Sequence, residues 1–113
     1  MPFLSYFITP KGLKEYNPEE FAKKIGEPGS KVIDVRTAME YNHGHIKSAT
    51  HVPLGTIKRE LSSMNKTDRL FLVCATGHRS RAAATILIKN GFNDVAHLSG
   101  GMTAWKKFSG PKE

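Results

Sequence analysis

The single cysteine of the chain, Cys74, stands in a context that favours a reactive thiol. It directly follows the most apolar run of the sequence, residues 70–73, and Gly77, His78 and Arg79 come within the next five positions. The thiolate is the nucleophilic form of cysteine, and backbone N–H groups, cationic side chains and helix N-termini all stabilise it. We therefore expect Cys74 to act as a nucleophile. The alternative that the sequence leaves open is a structural cysteine that fills space at the end of a strand.

The residues on either side of Cys74 predict the elements that position it. Residues 70–73 are apolar and predict a central strand, and the small and apolar residues from Ser80 onward predict a helix. Ligands of open α/β sheets bind beyond the carboxyl ends of the strands. The six residues from Cys74 to Arg79 are therefore expected to form a loop whose backbone N–H groups surround an anion, aided by the positive end of the following helix. Arg79 and Arg81 are expected to add fixed positive charge.

Strands and helices alternate along the rest of the sequence. Asn17 and Glu20 flank Pro18 in the pattern of a capping box, which predicts the start of a helix. The other predicted strands are residues 31–35, 51–52 and 95–98, and the other predicted helices are residues 54–64 and the segment after Gly100. Residues 36–44 are polar and irregular and predict a loop. This alternation is typical of an α/β fold with a parallel sheet covered by helices on both faces.

Length, charge and cysteine content restrict the class of protein. A chain of 113 residues with 39% hydrophobic and 24% charged residues is expected to form one globular domain. The formal charge of +7 attracts anions, but the lysines are dispersed and lack the aromatic or zinc-finger spacing of nucleic-acid-binding proteins. No apolar run has the length of an export signal or a membrane span, and a lone cysteine forms no intramolecular disulfide. We therefore expect a cytoplasmic protein without nucleic-acid or membrane partners.

Three groups of residues, in this order and spacing, resemble the signatures of the rhodanese family from about Glu15 to Pro111. The first group is Val32-Ile33-Asp34-Val35-Arg36, Glu40, Gly44-His45-Ile46, Ala49 and Val52-Pro53-Leu54. The second is Cys74-x-x-Gly77-x-Arg79-Ser80, and the third is Gly91-Phe92, Val95, Leu98-x-Gly100-Gly101 and Trp105. Ser48 and His51 stand where glycine and asparagine are common in the family, at positions that do not touch the expected chemistry.

The resemblance implies a rhodanese-like α/β fold with a five-stranded parallel sheet and helices on both faces. It implies that Cys74 takes a sulfane sulfur from thiosulfate or a persulfide donor and passes it, as a persulfide, to cyanide or a thiol. The implied partners are a small anionic sulfur donor, a thiol or cyanide acceptor and a possible protein donor or acceptor of sulfur. No metal or organic cofactor is implied, because the sulfur is held covalently. The expected boundaries are an N-terminal extension at 1–12, the domain at 13–111 and a tail at 112–113.

The residues around Cys74 are assigned supporting roles. By the resemblance, an anion cradle is formed by the backbone of Ala75, Thr76, Gly77, His78 and Arg79. Asp34, Arg36 and Ser80 are expected to support the loop, the first two as an ion pair or hydrogen-bond network at the same rim of the sheet. His43 and His45 are two residues apart, but no further ligands accompany them at a spacing that predicts a metal site.

Two other functions remain open. Rhodanese-like domains also serve as non-catalytic interaction or sulfur-relay modules, and the basic surface here could bind an acidic partner. Cysteine phosphatases and arsenate reductases of related fold have five residues between cysteine and arginine, whereas four separate Cys74 from Arg79. The shorter loop favours a sulfur atom over a tetrahedral phosphoryl group.

Overall fold

The computed structural model describes residues 3–110 and is built on a five-stranded sheet. The strands are β1 (Lys14–Tyr16), β2 (Ser30–Asp34), β3 (Thr50–His51), β4 (Arg69–Val73) and β5 (Val95–Leu98). They lie in the order β1-β5-β4-β2-β3, and all neighbours are parallel. The predicted α/β class is confirmed, and residues 70–73 belong to the middle strand, as expected.

Helices cover both faces of the sheet. They are α1 (Pro18–Ile25), α2 (Ala38–Asn42), α3 (Ile57–Glu60), α4 (His78–Lys89) and α5 (Gly101–Lys107). On one face, Phe21 of α1 makes edge-to-face ring contacts with Phe71 of β4 and Trp105 of α5. On the other face, Ile57 of α3 and Leu87 of α4 are fully buried in a second apolar cluster. The sheet is therefore enclosed by apolar packing on both sides, as parallel sheets require.

The alternation of side chains along β5 decides what each face of the sheet contains. Ala96 and Leu98 pack with α1 and α5, whereas Val95 packs on the α4 side. His97 follows Val95 by two residues and therefore points towards α4, where its side chain is fully buried. A polar, titratable group thus lies inside the apolar layer between β5 and α4.

Capping boxes start two of the helices. At α1, the backbone N–H of Glu20 donates to Asn17 Oδ1 at 2.9 Å, which confirms the predicted start. At α2, Thr37 and Glu40 make the same reciprocal pair of hydrogen bonds. The prediction of a loop over residues 36–44 was therefore wrong. Its own capping signal, a threonine followed three residues later by a glutamate, was present in the sequence.

Three further details differ from the sequence predictions. α4 begins at His78 rather than near Ser80, because Gly77 caps the helix with a φ of 102°, and the loop shortens to residues 74–77. Instead of one helix, residues 54–64 contain the short α3 with one 3-10 turn before it and one after it. β1 has no counterpart among the predicted strands, because a three-residue polar edge strand shows no periodicity and forms only by pairing with β5.

The segment that precedes β1 lies against the domain. Phe3–Tyr6 form a 3-10 turn in contact with α4, while Leu4, Phe7 and Ile8 are exposed. The boundaries of an extension at 1–12 and a domain at 13–111 stay predictions, and the predicted tail at 112–113 lies outside the described residues. Within residues 3–110, no helix has the length and apolar character that a membrane span needs.

Candidate functional site

Cys74 follows the carboxyl end of the middle strand, and its side chain is buried at the N-terminus of α4. Its Sγ accepts hydrogen bonds from two backbone N–H groups, that of Gly77 at 3.0 Å and that of Ser80 at 3.3 Å. Both donors belong to the first turn of the helix, where N–H groups have no partner within the helix itself. The partial positive charge of the helix end therefore acts directly on the sulfur and stabilises an anion there.

The first turn of α5 holds the loop in this conformation. The N–H groups of Met102 and Thr103 donate to the carbonyl oxygens of Cys74 and Ala75, at 2.8 and 3.0 Å. These bonds occupy the loop carbonyls, so the loop presents N–H groups rather than carbonyl oxygens to Sγ. Gly101 permits the close approach, since a Cβ at this position would lie 2.5 Å from the backbone of Ala75.

The two arginines expected to supply charge each lie next to a carboxylate. Arg79 donates to both carboxylate oxygens of Glu40, at 2.6 and 2.8 Å. This bidentate hydrogen bonding lowers the pKa of Glu40 to about 2 and raises the pKa of Arg79. Arg81 lies 3.8 Å from a carboxylate oxygen of Glu15. The predicted positive charge therefore lies beside carboxylates, and the hydrogen bonds that Sγ accepts come from backbone N–H groups.

Asp34 and Arg36 form a buried ion pair at the same rim of the sheet. Nη2 of Arg36 lies 2.8 Å from Asp34 Oδ2 and also donates to the carbonyl oxygen of Gly44 at 2.8 Å. Nε2 of His51 donates to the carbonyl oxygen of Arg36 at 2.7 Å. This network fixes the segment that carries α2, and so it positions Glu40, the carboxylate that binds Arg79 of α4.

The remaining residues of the predicted cradle lie at the rim of the site. Ala75 is half-buried, whereas Thr76 and His78 are exposed. Thr76 Oγ1 and His78 Nδ1 are 3.0 Å apart, and the His78 ring lies 5.5 Å from that of Phe7 between centroids. These side chains are therefore placed to meet a molecule that approaches the loop from solvent.

Two residues that the sequence analysis did not single out, Glu15 and His97, lie beneath the loop. Ser80 Oγ lies 3.4 Å from Sγ of Cys74 and 2.6 Å from Nδ1 of His97. Nε2 of His97 lies 2.9 Å from Oε2 of Glu15. Burial lowers the pKa of His97, and Glu15 opposes this shift. A histidine within the apolar residues 95–98 was the available signal, but its partners follow only from the tertiary structure.

A cleft of about 320 Å³ opens beside the loop. Arg36, His43 and Lys106 contribute basic groups to its lining, Glu40 contributes a carboxylate, and Met39 and Ala75 contribute apolar surface. The combination suits a small molecule that carries both an anionic group and an apolar part.

Comparison with known proteins assigns a family to this arrangement. A family model described as the Rhodanese-like domain matches residues 17–108. Thiosulfate sulfurtransferase GlpE of Pseudomonas paraeruginosa is 33% identical over 89 residues, which are 79% of this chain and 80% of that protein. The Bacillus subtilis "Putative sulfur carrier protein YrkF" is 33% identical over 94 residues, which are 82% of this chain. The chain spans about half of that second relative, 51% of its length.

A solved structure has the same fold. The crystal structure of the Alr3790 protein from Anabaena sp. aligns with a TM-score of 0.76 at 32% identity, covering 87% of this chain and 81% of that one. The family match, the sequence relatives and the shared fold agree with the order of the motifs and confirm the resemblance. The chain therefore belongs to the rhodanese-like family.

Proposed function

We propose that the protein is a sulfurtransferase in which Cys74 carries the sulfur as a persulfide. The Cys74 thiolate attacks the sulfane sulfur of thiosulfate, a new S–S bond forms, and sulfite leaves with the electron pair of the old one. Cyanide or a thiolate then takes the outer sulfur and returns the Cys74 thiolate. The observation that carries the proposal is the buried Sγ held by the N–H groups of Gly77 and Ser80 in a rhodanese-like chain.

The geometry of the loop supports a sulfur anion rather than a larger group. With four residues between Cys74 and Arg79, the loop spans residues 74–77 before the helix begins, which leaves little room for a tetrahedral phosphoryl group. Both terminal nitrogens of Arg79 are engaged by Glu40. Hydrolysis of an aryl phosphate that is lost on Cys74→Ser would instead support a phosphatase.

The basic cleft supports a route for the second substrate. Its lining includes Lys106 and Ala75 of the loop, whereas Arg36 in the same lining is paired with Asp34. An anionic acceptor attracted by Lys106 would therefore lie next to the persulfide. The donor and the acceptor are both anions in this reaction, and a basic surface raises the local concentration of each. Thiosulfate, small thiols and a sulfur-carrying partner protein are therefore the substrate classes that we propose. The cytoplasm is the location that we propose for this reaction.

Substitution of the nucleophile tests the proposal. In a thiosulfate:cyanide assay, Cys74→Ser is expected to lose at least about 100-fold in thiocyanate formation, because a serine hydroxyl does not form a persulfide. The matched control is Thr85→Ala, which removes a hydroxyl from the same helix, where it bonds the carbonyl oxygen of Arg81. Equal rates in the wild type and Cys74→Ser would contradict the proposal.

A second candidate, a sulfur-relay or interaction module, has support in the name of the relative YrkF. Intact-protein mass spectrometry after thiosulfate treatment separates the possibilities. A cyanide-removable gain of one sulfur atom with fast turnover supports the enzyme, and the same gain with slow small-molecule turnover supports a relay. No gain in the wild type would leave the interaction module as the function.

A further inference from the structure

An unbroken chain of polar groups runs from the buried sulfur to the edge of the sheet. Sγ of Cys74 lies 3.4 Å from Ser80 Oγ, Ser80 Oγ lies 2.6 Å from Nδ1 of His97, and Nε2 of His97 lies 2.9 Å from Glu15 Oε2. Cys74, Ser80 and His97 are buried, whereas about 39% of the Glu15 side chain is exposed. The chain therefore connects a buried nucleophile with solvent through three side chains.

The sheet register accounts for this alignment. β1 and β5 are parallel, and Glu15 lies directly beside His97 in the pairing, so both side chains stand on the same face. Ser80 comes from the first turn of α4, which packs on that face. Three elements that are distant in the sequence thus each supply one member of the chain.

The charges around His97 determine its behaviour. Within the described structure, the charged groups that act on it are Glu15 of β1, which favours the imidazolium, and Arg81 of α4, which opposes it. Cys74 follows β4 and adds a third group when its thiol ionises. The charged side chains of α1 and α5 belong to the other face of the sheet, where Phe21 and Trp105 pack. Burial keeps the imidazole neutral at rest, and a negative charge on Sγ favours its protonation.

We propose that Ser80, His97 and Glu15 accept the thiol proton of Cys74, with Ser80 as the bridge, His97 as the base and Glu15 as its positioning residue. The proposal rests on the proposed function and deepens it by naming how the nucleophile is activated. The arrangement follows the general logic of an activated nucleophile, in which the base is oriented by a third group.

The proton transfer leaves every group bonded. At rest, the thiol donates to Ser80 Oγ, and Nε2–H of neutral His97 donates to Glu15. The single hydroxyl proton of Ser80 has two acceptors within reach, the carbonyl oxygen of Gly77 at 3.0 Å and Nδ1 of His97 at 2.6 Å, and the proposed path uses the shorter contact to Nδ1. Ionisation moves the thiol proton to Ser80 Oγ while the hydroxyl proton moves to Nδ1. The thiolate keeps its N–H donors from Gly77 and Ser80, the imidazolium keeps Glu15, and the proton returns when the sulfur has left.

The test measures alkylation of Cys74 by iodoacetamide, a neutral reagent, between about pH 5 and pH 10. Ser80→Ala keeps the backbone N–H but removes the bridge, and we expect the midpoint of the rate profile to rise by about one pH unit. His97→Asn is expected to cause a similar rise, because the amide bonds Ser80 without titrating. Thr85→Ala, which removes a hydroxyl elsewhere on α4, is expected to leave the midpoint unchanged.

A double substitution separates a proton path from a merely structural effect. If Ser80 and His97 act in one proton path, the double variant Ser80→Ala/His97→Asn is expected to shift the midpoint of the alkylation profile no further than either single variant does. Additive shifts, or unchanged midpoints in folded single variants, would overturn the proposal. If the variants at the buried positions do not fold, Glu15→Gln at the exposed end provides the test. The proposal expects the midpoint of its alkylation profile to rise by about half a pH unit, and an unchanged midpoint would overturn it.

This readout does not depend on sulfur transfer. If the midpoints shift while the wild type forms no persulfide, the proposed function fails and the proton path stands. If a Cys74 persulfide forms while all midpoints coincide, the proton path fails and the sulfurtransferase stands.

Discussion

At the scale of single residues, the sulfur of Cys74 lies among backbone N–H donors and next to an arginine whose charge is paired with a carboxylate. Gly77 and Ser80 direct N–H groups at the sulfur, while Glu40 neutralises Arg79 in the first turn of α4. A loop with an unpaired guanidinium would bind many anions tightly. The pairing with Glu40 instead leaves backbone N–H groups as the donors to Sγ, which fits the small anionic sulfur of the proposed function.

The Glu40–Arg79 pair predicts a pH-dependent stability. The pKa of Glu40 in the folded protein, about 2, lies below its ordinary value of 4.5, so the stabilisation is complete above about pH 4.5 and disappears as the pH falls through 2. Glu40→Gln keeps the capping box of α2 but loses the charge. We expect it to lower the free energy of unfolding by about 1–2 kcal/mol at pH 7, after allowance for partial solvent screening.

Urea unfolding at several pH values checks this expectation. The difference between the wild type and Glu40→Gln should shrink steadily below pH 4.5. Glu20→Gln serves as the control, because Glu20 holds the same capping position in α1. A difference that stays constant from pH 7 to about pH 2.5 would show that the ion pair contributes little.

At the scale of elements, the site exists because α5 and the loop approach closely. Gly101 has a φ of 58°, and a Cβ there would lie 2.5 Å from the carbonyl groups of Cys74 and Ala75. The backbone bonds from Met102 and Thr103 depend on this contact. The glycine pair at 100–101 therefore fixes the loop that holds Cys74 as well as the start of a helix.

Gly101→Ala is expected to lower the free energy of unfolding by about 3 kcal/mol or more. A positive φ costs an alanine roughly 1–2 kcal/mol, and the clash with the loop backbone adds to it. Gly29→Ala is the matched control, since Gly29 has a φ of 84° but no atom within 4 Å of the added Cβ. Equal losses in the two variants, measured by chemical denaturation, would mean that the contact between α5 and the loop is not tight.

At the scale of the whole molecule, the net charge is expected to affect how an anionic sulfur donor approaches the proposed site. The chain carries 17 Lys and Arg against 10 Asp and Glu, yet Arg79 and Arg81 lie beside carboxylates. If the proposed donor is an anion, its attraction is expected to come from the dispersed positive charge of the surface, which acts over long distances and is screened by salt.

Salt is accordingly expected to slow the reaction with thiosulfate. Between about 20 mM and about 500 mM NaCl, kcat/KM should fall by about threefold to tenfold, mainly through KM. Alkylation of Cys74 by neutral iodoacetamide provides the comparison and should change little over the same range. A salt-independent kcat/KM would place the recognition of the donor in short-range contacts instead.

Much of this molecule follows from local patterns in the chain. The apolar residues 70–73, the glycine and basic residues after Cys74 and the alternation of elements predicted the α/β fold and the position of Cys74 between a strand and a helix, because periodicity and turn chemistry are local properties. Even α2 was readable, since Thr37 and Glu40 form a capping box. The order of the motifs identified the family before any contact was known.

Only the tertiary structure determines which carboxylates pair with Arg79 and His97 at the site. Arg79 meets Glu40 across 39 residues, and His97 meets Glu15 across 82, so no local pattern links either pair. The strand β1 exists because β5 offers an open edge, and its register brings Glu15 beside His97. The sequence thus predicts a reactive Cys74. The parallel pairing of strands and the packing of α4 and α5 determine which side chains and N–H groups lie around its sulfur.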